Sequence, residues 1–206
     1  MLVKVLKKVI VSTLNDIPSK IIITDSASHY FYFLHKADSK SLNKTIDIFL
    51  QSEKCKLFLI GAVYLKKDSK LNLKINVNHK SGKNKAYVEV KTVLLDNSEF
   101  NFEGLININK KSHLVDSYLK QNNLLASDFA ICNTSPQLCI GADNVKASHG
   151  ATVSGFNQDE IFYLQSRGYS LMQAQKLLSE SFLLSVFNKK SEMILKKLKI
   201  SSITNI

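Results

Sequence analysis

The sequence predicts a mostly-β body closed by a small helical piece at its C-terminal end. Three observations carry this. Leu71, Leu73, Ile75 and Val77 alternate with Asn72, Lys74 and Asn76, the period of a strand with one buried face. Short apolar runs of this kind recur between turn signals roughly every 8 to 12 residues. Beyond Asn157 the apolar spacing changes to three and four, the period of an amphipathic helix.

The elements follow in order. Ile21-Ile22-Ile23, after Pro18, is a β-branched strand candidate, and Tyr30 to Leu34 is a second, aromatic one. Thr45 to Leu50 alternates, and Lys56 to Leu65 carries a denser apolar run. The strand at 71–77 leads through Ser81-Gly82-Lys83-Asn84 to a returning strand at Tyr87 to Leu95, a hairpin-like pattern. Asp96-Asn97-Ser98 turns the chain again. Phe100 and Phe102 alternate, Gly104 interrupts, and Leu105, Ile106 and Ile108 continue. Short strands fit Leu124-Leu125, Phe129 to Ile131, Leu138 to Ile140 and Val145, and His149-Gly150 reads as an edge turn. Without a strict repeat, periodicity alone leaves a sandwich, a barrel and a β-solenoid open.

In the C-terminal part, Asn157 with Glu160 fits a capping box, and the helix it opens runs to Arg167. Gly168 stands where a left-handed residue ends a helix. Ser170 with Gln173 repeats the cap signature before a helix to about Phe187. Its apolar face is Ala174, Leu177, Leu178, Phe182 and Val186. Met193, Ile194, Leu195 and Leu198 make one more short helix. The chain thus divides into a β body over 1–155 and a helical segment over 156–206.

Composition narrows the function. A chain of 206 residues, 45% hydrophobic, can bury a core without disulfide or metal staples. Three cysteines without framework spacing or a CxxC pair suit a reducing compartment. A cytoplasmic location is expected, or the plastid stroma for a plastid-derived chain. No apolar run approaches the roughly 20 residues that cross a bilayer, and Met1 to Val11 mixes lysines into its apolar residues, unlike a secretory leader. The net charge is +11, yet Arg167 is the single arginine and no dense basic block appears. Bidentate base and phosphate contacts favour arginine, so the lysines read as a solvated surface, and a lysine-rich nucleic-acid-binding β protein is the least favoured alternative. There is no phosphate loop, GxGxxG, HExxH or GxSxG. That points to a non-catalytic scaffold or assembly subunit.

Two residues could carry chemistry. His149, between Ser148 and Gly150, is either a metal ligand or proton carrier, or a histidine that bonds backbone at a sheet end. If Leu138 and Ile140 face the core, Cys139 faces outward with Gln137. It is then an exposed thiol for a soft metal, or simply a small hydrophobe.

A stretch of motifs from Pro136 to Gly168 has a wider meaning. It runs through Pro136-Gln137-Leu138, Ala142-Asp143-Asn144-Val145-Lys146, Ser148-His149-Gly150-Ala151-Thr152 and Phe162-Tyr163-Leu164-Gln165-Ser166-Arg167-Gly168. With Phe102-Glu103-Gly104 and Gln121 to Leu125 upstream, it resembles the SufB/SufD family, the scaffold subunits of an iron–sulfur cluster assembly complex. The resemblance covers about His79 to Leu184 and is closer to SufD, with the N-terminal helical region of typical members lacking a counterpart. It implies a right-handed parallel β-helix with a small C-terminal α-helical segment. It further implies pairing with a SufB-like subunit through the C-terminal β-helix strands, and docking of a SufC-like ABC ATPase by the helical tail. Phe162, Tyr163, Arg167 and Gly168 would serve that docking, with Gln175 and Glu180 as solvent-facing positions on the second helix. His149 would lie near the nascent cluster at the subunit interface. The neighbouring family cysteine is replaced by Ala147, and Cys139 stands where a carboxylate is more usual. The expectation is therefore that this chain alone binds no cofactor stably and that a cluster forms at the interface. The alternative within the family is a self-sufficient, homodimeric SufB-like scaffold.

Overall fold

The computed structural model describes residues 2–4 and 9–199. Strands β1 (Leu2–Lys4), β3 (Lys20–Ile23), β5 (Ser41–Leu50), β7 (Lys70–His79), β9 (Glu99–Ile108) and β11 (Ile131–Ile140) lie in that order in one sheet. Strands β2 (Val9–Thr13), β4 (Ser28–Ala37), β6 (Lys56–Leu65), β8 (Lys85–Leu94), β10 (Asp116–Leu125) and β12 (Lys146–Ser154) form the other. Every pairing is parallel, and successive strands alternate between the sheets. The body is a β-solenoid of about 5 turns. The 71–77 and 87–95 segments are therefore not a hairpin: β7 and β8 belong to different sheets, and the Ser81–Asn84 turn is a corner of the coil.

From β5 onward one turn spans 29 to 32 residues, and the turns before it are shorter, down to 18 between β1 and β3. Ser41–Leu50, Lys70–His79 and Glu99–Ile108 stack so that Leu42, Leu71 and Phe100 align, as do Asn43, Asn72 and Asn101. The repeat is real but loose. Ile75 aligns with Gly104 and Lys74 with Glu103, because stacking requires only apolar side chains inward and compatible polar ones outward. β9 continues straight through Gly104, where a Cβ would stand 2.6 Å from Leu119 Cδ1. The glycine makes room for the opposite sheet rather than ending a strand.

The corners also repeat. Lys54, Lys83 and Leu114 precede β6, β8 and β10 with φ of 59°, 58° and 60°. Lys67 and Asp96 do the same at the other corner, with φ of 54° and 51°. The coil thus holds non-glycine residues in the left-handed region, a cost of about 1 kcal/mol each, offset by the apolar interior it stacks. Phe31, Phe33, Ile48, Leu59, Ile75 and Phe102 are among the residues that fill that interior.

The helical segment covers the outer face of the even-numbered sheet. Asn157 caps α1 (Gln158–Ser166) through Asp159 N–H, a simple cap without the expected Glu160 return bond. The helix ends in a Schellman motif: Gly168, at φ 92°, donates to Gln165 O and Tyr169 donates to Leu164 O. The Ser170–Gln173 capping box opens α2 (Leu171–Leu184). A 3-10 segment follows at Ser185–Lys190, then α3 (Ser191–Leu198). Val186, Phe187, Leu183 and Ile194 pack on Tyr32, Leu34, Ile60 and Val93, which makes a second apolar cluster outside the coil. The buried face of α2 is Ala174, Ser179 and Leu183. Leu177, expected on that face, is 43% exposed. Gln175 and Glu180, expected to face solvent, are half-buried; the Glu180 charge acts on Lys36 and Tyr64 of the sheet.

Candidate functional site

The last turn of the coil is formed by β11 and β12, and among the described residues each pairs on one side only, with β9 and β10. Both open edges therefore lie at the same end of the solenoid. β11 stops at Ile140, residues 141–145 turn the corner, and β12 starts at Lys146. Gly141 N–H closes the corner on Ile108 O at 2.9 Å, and Val145, expected in a strand, belongs to this corner.

His149 lies in the middle of β12, not in a turn. Its register partner is Leu119, which is buried in the interior. Register partners in neighbouring strands point to the same face, so His149 points to the interior side of the coil. It is nonetheless exposed, because no further turn stacks on it. Ala147 and Ala151 share its face, alongside Ser117 and Gln121. Polar groups follow Leu119 on the same face of β10. Gln121 and Asn123, both buried, exchange side-chain hydrogen bonds, and Asn123 also donates to Thr152 O at 3.0 Å.

Cys139 is exposed on the outer face of β11, aligned with Asn107. It belongs to the other sheet and the opposite face from His149, so the fold does not bring the two together. Cys132 is half-buried and Cys55 fully buried, and burial pushes both thiols up to about 11. Each stays protonated at neutral pH and is a poor soft-metal ligand. Cys55 donates to Asn84 Oδ1 at 3.2 Å instead. Among the described residues, no three His, Cys, Asp or Glu side chains converge to hold a metal ion.

The end of the coil also carries apolar side chains without cover. Phe129 is 75% exposed, and Ile131, Ile140 and Val153 are each about half-exposed. A second uncovered group lies on the helices: Phe162, Tyr163, Tyr169, Leu171, Met172 and Leu177 are all exposed. Arg167, the C-cap of α1, lies 5.3 Å from the Tyr163 ring centroid. Gly168 supplies the positive φ that reverses the chain between the helices. Tyr163, Arg167 and Gly168 therefore lie together at the exposed C-terminal end of α1, and Phe162 is exposed one residue before Tyr163. Glu180 lies on the flank that meets the sheet, and Gln175 is half-buried.

Sequence reasoning missed an asparagine ladder on the outer face of the odd-numbered sheet. Asn72 donates to Asn43 at 2.5 Å, Asn101 to Asn72 at 2.8 Å and Asn133 to Asn101 at 2.8 Å. The recurrence of apolar-Asn pairs at 42–43, 71–72 and 100–101 was its signal. The ladder ends on Asn133, at the open edge.

A family model described as the SufBD core domain of the SUF system of FeS cluster assembly matches residues 13–182. The iron–sulfur cluster assembly protein SufD of Escherichia coli K12 is 42% identical over 92 residues, 45% of this chain and 22% of that protein. The SufBD family protein slr0076 of Synechocystis is 43% identical over 81 residues, 39% of this chain and 18% of that protein. The chloroplastic protein ABCI7 of Arabidopsis thaliana is 37% identical over 81 residues, 39% of this chain and 17% of that protein. Each match spans about a fifth of its relative's length. No helix among the described residues is long and apolar enough to cross a membrane. With the family model covering most of the chain and the fold built of stacked parallel strands, the chain belongs to the SufBD family of iron–sulfur cluster assembly proteins.

Proposed function

We propose that the chain acts as a SufD-like, non-catalytic scaffold subunit that pairs with a SufB-like subunit and docks a SufC-like ABC ATPase. The observation that carries this reading is the end of the coil, where β11 and β12 leave two parallel strand edges unpaired among the described residues, beside exposed Ile131, Ile140 and Val153. Unpaired edges with apolar neighbours are a template for another chain. The likeness to SufD supports the SufD assignment. The exposed corner at Phe162, Tyr163 and Met172 is a second uncovered apolar surface, and it supports docking of the ATPase by the helical tail.

The iron–sulfur cluster is cargo in this scheme. His149 offers one imidazole ligand at the open end, and Ala147 beside it offers none. The remaining ligands come from the paired subunit, so a cluster forms at the interface and this chain alone holds none stably. Cys139, on the outer face, takes no part.

Co-purification of the chain with SufB-like and SufC-like proteins from its source is the direct test. A stable ternary complex is expected at micromolar concentration. A chain that stays alone with both present overturns the reading. A visible cluster after anaerobic reconstitution of the chain by itself would instead establish a self-sufficient homodimeric scaffold.

A further inference from the structure

The outer face of the even-numbered sheet carries a row of aromatic rings on four neighbouring strands. Tyr30, Phe58, Tyr87 and Tyr118 align in register across β4, β6, β8 and β10. They point outward because Phe31, Leu59, Val88 and Leu119, one residue on, fill the interior. The row is not one continuous stack. Tyr30 and Phe58 are parallel with centroids 4.7 Å apart, and Tyr87 and Tyr118 form a tilted pair at 5.8 Å. Phe58 and Tyr87 both line one cavity of about 830 Å³, which enters the row where the two pairs part. That volume suits a small ligand. The helical segment walls the cavity with Val186, Phe187 and Asn188.

Few polar groups reach this cavity, and they differ in charge. Glu89, two residues after Tyr87 on β8, is buried, and its Oε2 accepts a 2.7 Å hydrogen bond from the Tyr87 hydroxyl. Burial and that carboxylate push the Tyr87 hydroxyl up, so it stays a donor. Glu89 Oε1 lies 3.6 Å from Lys120 Nζ, beyond hydrogen-bond distance, and keeps acceptor capacity. Lys190 is bonded to the Tyr32 hydroxyl with its ammonium over the Tyr30 ring. Lys56 precedes Phe58 by two residues on the same face of β6; it is exposed and makes no ion pair among the described residues. Lys85, its register partner, is bonded to Asp116. Aromatic faces, a buried carboxylate and two lysines thus meet at one cavity.

We propose that this cavity binds a guanine nucleotide, with the base stacked at Phe58 and Tyr87, its N–H edge on Glu89 and its phosphate facing Lys56 and Lys190. Every base has a π-face that stacks on aromatic rings. An ionised carboxylate only accepts hydrogen bonds, and guanine offers it two adjacent donors, N1–H and the N2 amino group. Adenine sets a ring acceptor beside its amino group, and uracil has a single N–H between two carbonyls. Lys56 and Lys190 favour the phosphate over the free nucleoside. The site draws on β4, β6, β8 and the helical segment and on neither strand of the open end, so binding is independent of pairing.

The test is isothermal titration calorimetry on the full chain by itself, since a partner ATPase would bring a nucleotide site of its own. GMP should bind roughly tenfold or more tightly than AMP or UMP. Phe58→Ala should weaken GMP binding roughly tenfold or more. Glu89→Gln should remove the preference for GMP over AMP, and Lys56→Ala should weaken GMP while leaving guanosine unchanged. If Phe58→Ala fails to fold by circular dichroism, Phe58→Leu and the NMR shifts of Phe58 and Tyr87 in the natural chain on adding GMP decide. No GMP binding at millimolar concentration, or binding that all three variants leave unchanged, overturns the inference. Inorganic phosphate that binds as tightly as GMP overturns it in favour of simple anion attraction. Equal affinity for the three nucleotides overturns the choice of guanine, and a single-stranded oligonucleotide that binds far more tightly than GMP overturns the choice of a mononucleotide.

Discussion

Lys190 donates a 2.8 Å hydrogen bond to the Tyr32 hydroxyl, across 158 residues of sequence. Its ammonium also lies 4.5 Å from the Tyr30 ring centroid and 5.3 Å from that of Tyr32. Asn188, at φ 50° and ψ −136°, breaks the helical path just before it and turns the chain onto this aromatic surface. Lys190→Ala should cost about 1 kcal/mol. Faster amide exchange in α3, with the strands unchanged, is the expected readout; an unchanged α3 would show that Phe187 alone holds the segment.

His79 makes stability depend on pH. It is fully buried, its Nε2 lies 3.1 Å from Ser117 Oγ, and burial lowers its pKa from 6.5 to about 4. The unfolded chain takes up the proton as pH falls below about 6.5, the folded chain only near 4. The stability is therefore fully present above pH 6.5 and is lost as pH falls toward 4, on the order of 3 kcal/mol. Urea midpoints from about pH 7.5 down to about pH 4.5 should drop accordingly. His79→Gln should flatten that slope, leaving the smaller share from His35, whose pKa burial also lowers. An equally steep slope in the variant would assign the effect elsewhere.

Gly61 is required by Phe33. The two are register partners in β6 and β4, and a Cβ at 61 would stand 2.0 Å from Phe33 Cζ. Gly61→Ala should destabilise by about 1–3 kcal/mol, read by urea denaturation. Adding Phe33→Leu should recover part of the loss. If the double variant shows simple additivity, the two positions are not in steric conflict.

His149→Ala should lower iron and sulfide loading of the assembled complex, with an apparent affinity change of about tenfold. Pairing should be unchanged, since the substitution leaves the backbone of β12 as it is. Undiminished loading would leave His149 a structural residue.

Met172→Glu and Phe162→Ala replace the most exposed apolar side chains of the helical corner. Each should weaken ATPase docking by about tenfold or more, the scale of a central interface residue, with the same melting temperature as the natural chain. Docking that survives both variants would move the ATPase surface elsewhere.

The β body, the helical tail and the family were all legible along the chain. Those follow from local periods, from caps such as Ser170–Gln173, and from the motifs between Pro136 and Gly168. Strand β6 was legible to the residue, because its apolar run is bounded by polar corners. The solenoid's turn length was present in the sequence but hidden. Ile75 and Gly104, or Lys74 and Glu103, are equivalent only once stacked, and a stack tolerates such exchanges. Its corners were hidden too, since lysine, leucine and aspartate hold left-handed positions that local propensity reserves for glycine. Stacking, by contrast, puts His149 in a strand rather than a turn, sets Cys139, whose outward face was legible, in the other sheet from His149, and brings Glu180 against the sheet. Each of these depends on which strand is the neighbour, and that is set by packing between residues about 30 apart.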